Sequence, residues 1–272
     1  MPDEATVNLL WTGGWDSTFR LLTLVENENV KINIYYIINR ERKSFNIELN
    51  TMDSILNDIF VRFPGAKDRI LSITHFNRND ITPNREIQKK YEYLNNISSF
   101  GHQYVYVAEF ALMFGLSNLE MSVAFNDGRI YRHLENNCVP VEDPVIGQYH
   151  RLTSSIDDNS PYSMFKFFTF PVITVSKIDM MNIAKKNGVL NILKKTWFCH
   201  SPINDKICGT CNPCKCAMTE GMAFRLPIRS RLRYYAAPIR SRLRYYVHHV
   251  FDLLKREGPV AVFKKAVKKI KL

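Results

Sequence analysis

Strand-like and helix-like segments alternate between Val7 and Phe125. Apolar, β-branched runs predict buried strands at Val7–Trp11, Lys31–Ile38, Arg69–Thr74 and Asn118–Phe125. Apolar residues at helical spacing predict helices at Asp16–Glu26, Leu49–Phe63 and His102–Phe114. Strands that are connected through helices favour a parallel sheet with helices on both faces. We therefore expect an α/β fold whose ligand site lies at the carboxyl ends of the strands.

The second half of the chain is less regular. Asn126–Pro161 is rich in Asn, Asp and Ser, which predicts a long loop or lid. After the short apolar segment Pro171–Val175, Ser176 is expected to cap a helix that runs from Lys177 to Asn187. Gly188 follows at the position where a glycine commonly ends a helix.

A glycine-containing loop, Thr12–Thr18, joins the first predicted strand to the first predicted helix. Glycine lets the backbone approach a phosphate closely, and the start of a helix offers unpaired N–H groups and a positive dipole end. Ser17 and Thr18 can add hydroxyl donors, and Asp16 can cap the helix or hold Mg²⁺. A plain tight turn is the structural alternative to a phosphate site, and the Walker lysine is absent. The predicted phosphate-binding residues are Thr12, Gly13, Gly14, Trp15, Asp16, Ser17 and Thr18.

Five of the six cysteines are clustered between Cys199 and Cys216. Four of them follow the spacing C-x8-C-x2-C-x2-C and are the predicted metal ligands: Cys199, Cys208, Cys211 and Cys214. Overlapping C-x2-C steps place thiolates close together, which predicts a tetrahedral Zn²⁺ site. Four sulfur ligands leave no open position, so the zinc would be structural. An iron–sulfur cluster or unliganded thiols are alternatives, and Cys216 is an alternative ligand.

Positive charge is concentrated at the C-terminus. The chain carries a net charge of +11, but residues 225–272 hold 14 Lys or Arg against Asp252 and Glu257, a net +12. The rest of the chain, residues 1–224, which we call the body, is therefore close to neutral. The net charge of the whole chain gives no information about the substrate of the body. The tail contains a duplication, because Pro227–Tyr235 and Pro238–Tyr246 both read PIRSRLRYY.

The tail predicts basic amphipathic helices, for which three partners stay open. Its apolar stripe is compatible with packing on the body or on a second subunit, which would make the protein a homodimer. A basic helix with an apolar face can also lie on an anionic membrane surface, and adjacent Arg and Tyr residues can engage nucleic acid. We expect no transmembrane segment and no secretory signal, hence a cytoplasmic protein that can be peripheral to a membrane.

These features predict three parts in the chain. Residues 1–175 are expected to form an α/β domain with the phosphate loop, residues 176–224 a helical zinc-binding subdomain, and residues 225–272 a basic helical tail.

Two motifs resemble known families. Thr12–Thr18 resembles the S-G-G-x-D-S fingerprint of PP-loop ATP pyrophosphatases, with Thr12 in place of the usual serine. The cysteine spacing, together with Ser176–Ile178 and Thr196–Cys199, resembles the 7-cyano-7-deazaguanine synthase family. The resemblance extends over roughly Val7–Met218.

The resemblance implies an adenine-nucleotide alpha-hydrolase-like fold and an ATP-dependent carbon–nitrogen ligase with a role in queuosine biosynthesis. Such enzymes use ATP and Mg²⁺ to adenylate a carboxylate, release pyrophosphate, and let an amine donor displace AMP. The family substrate, 7-carboxy-7-deazaguanine, is converted with ammonia to 7-cyano-7-deazaguanine. Asp16, Ser17 and Lys177 are the predicted catalytic residues, with Lys177 supplying positive charge to the α-phosphate.

The departures from the family pattern concern the acceptor. Phe100–Gln103 stands where the family usually carries a P-x-R-N segment, and Ala124–Gly128 only partly matches its G-x-N-x-x-D stretch. Two alternatives therefore stay open. One is a diverged PP-loop enzyme that modifies nucleic acid, protein or another small molecule. The other is a non-catalytic nucleotide-binding module tethered by its basic tail.

Overall fold

A computed structural model describes residues 4–238, and its centre is a five-stranded parallel sheet. In chain order the strands are β1 (Ala5–Leu10), β2 (Val30–Ile38), β3 (Ile70–Asn77), β4 (Leu119–Glu120), β5 (Cys138–Asp143), β6 (Gly147–Leu152) and β7 (Phe168–Thr169). The parallel sheet has the order β3-β2-β1-β4-β7, while β5 and β6 form a separate antiparallel pair. The central strand β1 pairs with β2 along its whole length and with β4 at Asn8 and Leu9.

Helices connect the strands and cover the sheet. They are α1 (Trp15–Glu26), α2 (Phe45–Arg62), α3 (Ala66–Arg69), α4 (Arg85–Ile97), α5 (Gln103–Met113), α6 (Gly128–Leu134), α7 (Lys177–Lys186), α8 (Leu190–Leu193) and α9 (Asn212–Thr219). Short 3₁₀ turns occur at Arg78–Asp80, Pro161–Phe165 and Ala223–Arg225, and residues 228–238 are helical. The second copy of the duplicated segment lies outside the described residues, except for Pro238.

Two apolar clusters lie on opposite faces of the sheet. Leu9 belongs to one cluster and Leu10 to the other, because successive side chains of a strand point to opposite faces. The first cluster contains residues of α1, α2 and α7, such as Leu22 and Met52, and the second contains residues of α5, such as Phe110. The predicted α/β fold with a parallel sheet and helices on both faces is therefore confirmed.

The predicted loop or lid at residues 126–161 is wrong, since this region contains α6 and the β5–β6 hairpin. The hairpin turn is held against α1, where Asn27 Nδ2 donates to the Val145 carbonyl over 2.7 Å. Arg20 also donates to the Ile146 carbonyl. Polar composition predicted a loop here because both hairpin strands are partly exposed, so no apolar run marks them.

Several element boundaries also differ from the prediction. The fourth strand contains only Leu119 and Glu120 of the predicted Asn118–Phe125, and the last strand, Phe168–Thr169, was not predicted. By contrast, α7 begins at Lys177 as predicted, with the Ser176 hydroxyl accepting from the Asp179 N–H. No helix within residues 4–238 is long and apolar enough to cross a bilayer.

The cysteine segment shares its core with the sheet. Cys199, Cys208 and Cys214 lie in the same apolar cluster as Leu9 and Trp11. The boundary between an α/β domain and a zinc-binding subdomain at residue 176 stays a prediction. The residues before and after this boundary are joined by these apolar contacts.

Candidate active site and metal centre

The Thr12–Thr18 loop follows β1, which lies between β2 and β4 where the strand order reverses. In open α/β sheets, ligands bind in the crevice outside the carboxyl ends of the strands at this point. Gly13 has a φ of +65°, and an added Cβ would lie 2.8 Å from Met52 Cγ of α2. A residue with a side chain would be strained at this φ and would have to push the Met52 side chain aside, so the position favours glycine.

The hydroxyl groups of the loop have different environments. Ser17 Oγ lies 3.3 Å from both the backbone nitrogen and the hydroxyl of Thr12. Thr18 is fully buried, and its hydroxyl accepts from Trp11 Nε1 over 2.9 Å. Gly14 caps α1, and no described side chain bonds to the helix N-terminus. The loop therefore keeps backbone N–H groups and the Ser17 hydroxyl for a ligand, while the Thr18 side chain belongs to the core.

Lys177, the first residue of α7, reaches the start of α1 and lies among three carboxylates. Its Nζ is 2.8 Å from Glu220 Oε2, 3.0 Å from Asp127 Oδ1 and 3.8 Å from Asp16 Oδ2. Asp127 follows β4, and Glu220 ends α9. The structure thus brings the predicted residues Asp16 and Lys177 together, and it adds Asp127 and Glu220 from remote segments. We call the space beside these four residues and the Thr12–Thr18 loop the crevice.

Burial and charge alter the ionisation of this group. The pKa of Asp16 is raised to about 7, chiefly by burial; Asp127 and Glu220 add to the rise, while Lys177 and Arg225 oppose it. Burial disfavours the charged form of Lys177, but the surrounding carboxylates outweigh it and raise the pKa of Lys177 above its usual range. Lys177 is therefore a permanent cation, whereas Asp16 can gain or lose a proton near neutral pH.

Unsatisfied polar atoms are concentrated in this crevice. Among the described residues, three buried side-chain atoms lack a hydrogen-bond partner: Trp15 Nε1, Asp16 Oδ1 and Ser122 Oγ. Trp15 and Asp16 begin the helix after β1, and Ser122 closely follows β4, the neighbour of β1. Buried polar groups are normally paired, so these atoms are available for hydrogen bonds with a ligand or with water at this edge of the sheet.

A further cation lies beside the loop. The Arg225 guanidinium lies 4.8 Å from the ring centre of Trp15 and 4.6 Å from that of Phe198, and it donates to the Thr196 hydroxyl over 2.7 Å. Burial lowers the pKa of Arg225 to about 10, with Asp16 opposing the change. From the charge distribution, Arg225 was counted as the first residue of the basic tail. In the structure its side chain lies beside Trp15 of the Thr12–Thr18 loop.

Several members of the crevice gave no signal in the sequence. Glu220 and Arg225 follow the cysteine cluster in a segment without a motif, and Asp127 lies in a stretch that matches the family pattern only in part. Tyr104 of α5 is also near, since burial first and then the charge of Asp127 raise its pKa. Only the parallel sheet and the packing of α5, α7 and α9 bring these residues together.

The predicted cysteine ligands form a cluster. The four Sγ atoms of Cys199, Cys208, Cys211 and Cys214 all lie within 4.8 Å of one another. Three of the separations are 3.4, 3.8 and 3.9 Å, far longer than a disulfide bond. A tetrahedron of sulfurs bound at about 2.3 Å to zinc would have edges of about 3.8 Å. The cluster could therefore hold a metal ion and is compatible with zinc.

Backbone amides orient these sulfurs. Cys208 Sγ accepts from the N–H groups of Thr210 and Cys211 at 3.3 and 3.2 Å, and Cys199 Sγ accepts from the Cys208 N–H at 3.2 Å. Such bonds stabilise thiolates, and they are typical of the supporting shell around metal ligands. The turn also needs Gly209, where an added Cβ would lie 2.0 Å from the Ser230 carbonyl oxygen.

The metal centre and the crevice are in direct contact through Trp197. The Trp197 N–H donates to the Gly13 carbonyl over 3.1 Å, and its indole Nε1 donates to the Cys199 carbonyl over 2.7 Å. On the other side, α9 carries Cys214 and is followed by its C-cap residue Glu220, which contacts Lys177. A metal that fixes the cysteines would therefore fix the loop and Glu220 as well.

The chain matches no protein-family model and no curated protein.

Proposed function

We propose that this crevice binds ATP and that the chain is an adenylating ligase of the PP-loop class. One observation carries the proposal: the Thr12–Thr18 loop lies at the reversal of strand order, with the unpaired Asp16 Oδ1 and the Lys177 cation beside it. A phosphate chain needs N–H donors and cations at the start of a helix, and both are present here. A plain turn would not need two partly buried cations, Lys177 and Arg225, beside it.

In this proposal, different residues contact the different phosphates of ATP. The N–H groups at the start of α1 and the Ser17 hydroxyl hold the β- and γ-phosphates, which leave together as pyrophosphate. Lys177 and Arg225 lie close to Asp16 and provide positive charge where the α-phosphate gains negative charge. Lys177 exchanges its carboxylate contacts for a phosphate contact without losing its proton, because its pKa is raised.

The acidic groups fit Mg²⁺, which prefers oxygen ligands from one or two carboxylates together with substrate phosphates. Asp16, Asp127 and Glu220 provide such oxygens, and Asp16 Oδ1 is buried without a partner. When bound, Mg²⁺ would neutralise charge on the phosphates. A nearby cation also favours the ionised form of Asp16, whose pKa is otherwise raised by burial.

The proposed chemistry is carboxylate activation. An oxygen of the acceptor carboxylate attacks the α-phosphorus of ATP, the bond from this phosphorus to the bridging oxygen breaks, and pyrophosphate leaves. Ammonia then attacks the acyl carbon, AMP leaves with the bonding electrons, and the ammonium proton passes to solvent. The first acceptor to test is 7-carboxy-7-deazaguanine, in which the resulting amide is activated again to give the nitrile.

A second candidate is an enzyme of the same class with another acceptor. Phe100 occupies the position of a polar segment in the family and is buried in an aromatic cluster, 5.0 Å from the Tyr91 ring and 4.8 Å from the His133 ring. Gln103, at the end of the same segment, accepts a hydrogen bond from Arg42 Nη2 over 3.4 Å. This aromatic packing favours an acceptor other than 7-carboxy-7-deazaguanine. It does not affect the Thr12–Thr18 loop or Lys177.

The decisive experiment is product analysis with labelled ATP and a panel of acceptors, beginning with 7-carboxy-7-deazaguanine and ammonia. The expected products are AMP and pyrophosphate. Asp16→Asn and Ser17→Ala should abolish turnover, and Asp53→Asn, which changes an exposed carboxylate of α2, is the matched control. Formation of ADP and phosphate would refute the proposal. Tight ATP binding without turnover for any acceptor would support a non-catalytic nucleotide-binding module.

The metal is proposed to be one structural Zn²⁺ per chain, held by the four clustered cysteines. All four sulfurs act as ligands, so none is left for catalysis. Thiolate ligands must stay reduced, which agrees with a proposed cytoplasmic location. Elemental analysis of the purified protein tests the assignment, and a coloured iron–sulfur protein would contradict it.

A further inference from the structure

The helix at residues 228–238 presents its apolar side to solvent. Ile228 is 74% exposed, Leu232 63% and Tyr235 65%. In an α-helix, successive residues are about 100° apart, so these three positions share one face. Isolated exposed apolar residues are ordinary on protein surfaces, but a continuous apolar face indicates a partner.

The opposite side of this helix is attached to the body. Ser230 is 2% exposed, and its hydroxyl donates to the Ile207 carbonyl beside the metal centre. Close contact with Gly209, where no Cβ would fit, also holds this side. Leu226, just before the helix, is buried, and its carbonyl accepts from Arg231 Nε. The outward direction of the apolar face is therefore determined by tertiary contacts.

Arginines flank the apolar face on both sides. At about 100° per residue, Arg231 lies on one side of Ile228 and Leu232, while Arg229 and Arg233 lie on the other. Residues 227–238 contain no acidic side chain. An outward apolar face between arginines is the arrangement expected of a helix that lies in the headgroup region of an anionic bilayer.

We propose that residues 228–238 form a docking surface for anionic phospholipid, separate from the crevice and independent of its proposed chemistry. Ile228, Leu232 and Tyr235 enter the boundary between headgroups and acyl chains. Arg229 and Arg233 contact the lipid phosphates. The crevice would then be held beside a membrane, because the helix is attached to the metal centre by Ser230.

Charge favours anionic phospholipid over two other partners for this apolar face, a second copy of the chain and residues 239–272. A second copy of the chain on the same face would bring two sets of arginines together, which opposes association. Residues 239–272 contain 10 Lys or Arg against two acids, so covering the face with this segment would also place like charges together. Nucleic acid would satisfy the arginines but would leave Ile228 and Leu232 without an apolar partner.

The test uses the full-length protein in flotation with vesicles of phosphatidylcholine, with and without phosphatidylserine. Binding should require phosphatidylserine and should weaken with added salt. Ile228→Ser combined with Leu232→Ser should reduce the partition coefficient by about tenfold. Arg229→Gln combined with Arg233→Gln should reduce it roughly thirtyfold at low ionic strength, since each surface cation contributes a factor of about five.

The matched control is Val61→Ser combined with Leu71→Ser, which removes apolar side chains that are 82% and 52% exposed on α2 and β3. It should bind vesicles like the unmodified protein, and all variants should keep their metal and melting temperature. Vesicle binding that both helix variants leave unchanged would overturn the proposal. Equal binding without phosphatidylserine, retention on single-stranded RNA without vesicle binding, or a dimer that Ile228→Ser with Leu232→Ser dissociates would overturn it as well.

Discussion

The metal centre and the crevice beside the Thr12–Thr18 loop are assembled in different ways. All four sulfurs of the metal centre come from one short stretch, Cys199–Cys214, whose turns bring them together. The crevice combines the loop after β1 with Asp127 after β4, Lys177 at the start of α7 and Glu220 at the end of α9. A site built from neighbouring residues can be recognised from their spacing, whereas a site built from remote segments depends on the whole fold.

The two sites also depend on each other unequally. Trp197 and α9 run from the cysteines to the loop and to Lys177, so disorder at the metal centre would spread into the crevice. The crevice residues, by contrast, provide no sulfur ligand. Loss of the proposed metal should therefore damage both sites, and substitutions in the crevice should damage only one.

Loss of the metal should have the largest effect. Cys208→Ser removes one of the four sulfurs and should lower the free energy of unfolding by about 5 kcal/mol or more, because the binding energy of a structural metal is also folding energy. ATP turnover should be lost with it. Denaturation curves, metal analysis and pyrophosphate release measure the three consequences.

Cys138→Ser is the control for this experiment, since Cys138 is half-buried and lies outside the cluster. This variant should keep its metal and most of its stability. The reverse experiment is Asp16→Ala, which should abolish turnover and leave the metal content unchanged. If Asp16→Ala also released the metal, the unequal dependence of the two sites would be refuted.

Lys177→Gln should have the next largest effect. It leaves Asp16, Asp127 and Glu220 without their shared cation, and the free energy of unfolding should fall by about 3 kcal/mol at alkaline pH. The loss should become smaller in acid, where the carboxylates are protonated. Urea denaturation at two pH values measures both effects, and adding Asp127→Asn should restore part of the stability.

Lys195→Gln is the matched control, because Lys195 forms an ion pair with Asp58 in which both side chains are at least a third exposed. This change should cost at most about 1 kcal/mol. Equal losses for Lys177→Gln and Lys195→Gln would mean that the crevice is no more sensitive to charge than the surface.

The pH dependence of stability should report on Asp16. Its pKa is raised from 3.8 to about 7, so between these values the folded state holds a proton that the unfolded state has released. The contribution of Asp16 to the free energy of unfolding should therefore decrease as the pH rises from about 4 to about 7, by at most about 1.4 kcal/mol per pH unit. Asp16→Asn should remove this decrease in magnesium-free buffer. Parallel pH profiles for the two proteins would contradict the assignment.

Arg225→Gln should have the smallest effect on stability. The substitution removes the contacts of the guanidinium with the Trp15 and Phe198 rings and its hydrogen bond to Thr196, which together stabilise the fold by about 1–2 kcal/mol. Turnover should fall more than stability, because a cation beside the loop is lost. Arg62→Gln, where an exposed arginine lies over Phe63, is the control and should cost about 0.5 kcal/mol in stability with no loss of turnover.

Much of the fold could be predicted because its signals are local. The apolar run of β2, Val30–Ile38, and the Ser176 cap of α7 each depend on residues that are close in the sequence. The β5–β6 hairpin was missed because its partly exposed strands lack such a run and depend on contacts with Arg20 and Asn27 of the α1 region. The amphipathic helix α4 was also missed, since it buries little more than Ile87 and Leu94.

The sequence by itself determined the alternation of strands and helices, the position of the Thr12–Thr18 loop between a strand and a helix, and the spacing of the four clustered cysteines. Only the tertiary structure decided which charged groups meet beside that loop. The pairing of β4 with β1 brings Asp127 near Asp16, and the packing of α7 and α9 brings Lys177 and Glu220 to the same place. The physical reason is that charge interactions depend on distance in space, and separation along the chain does not reveal it.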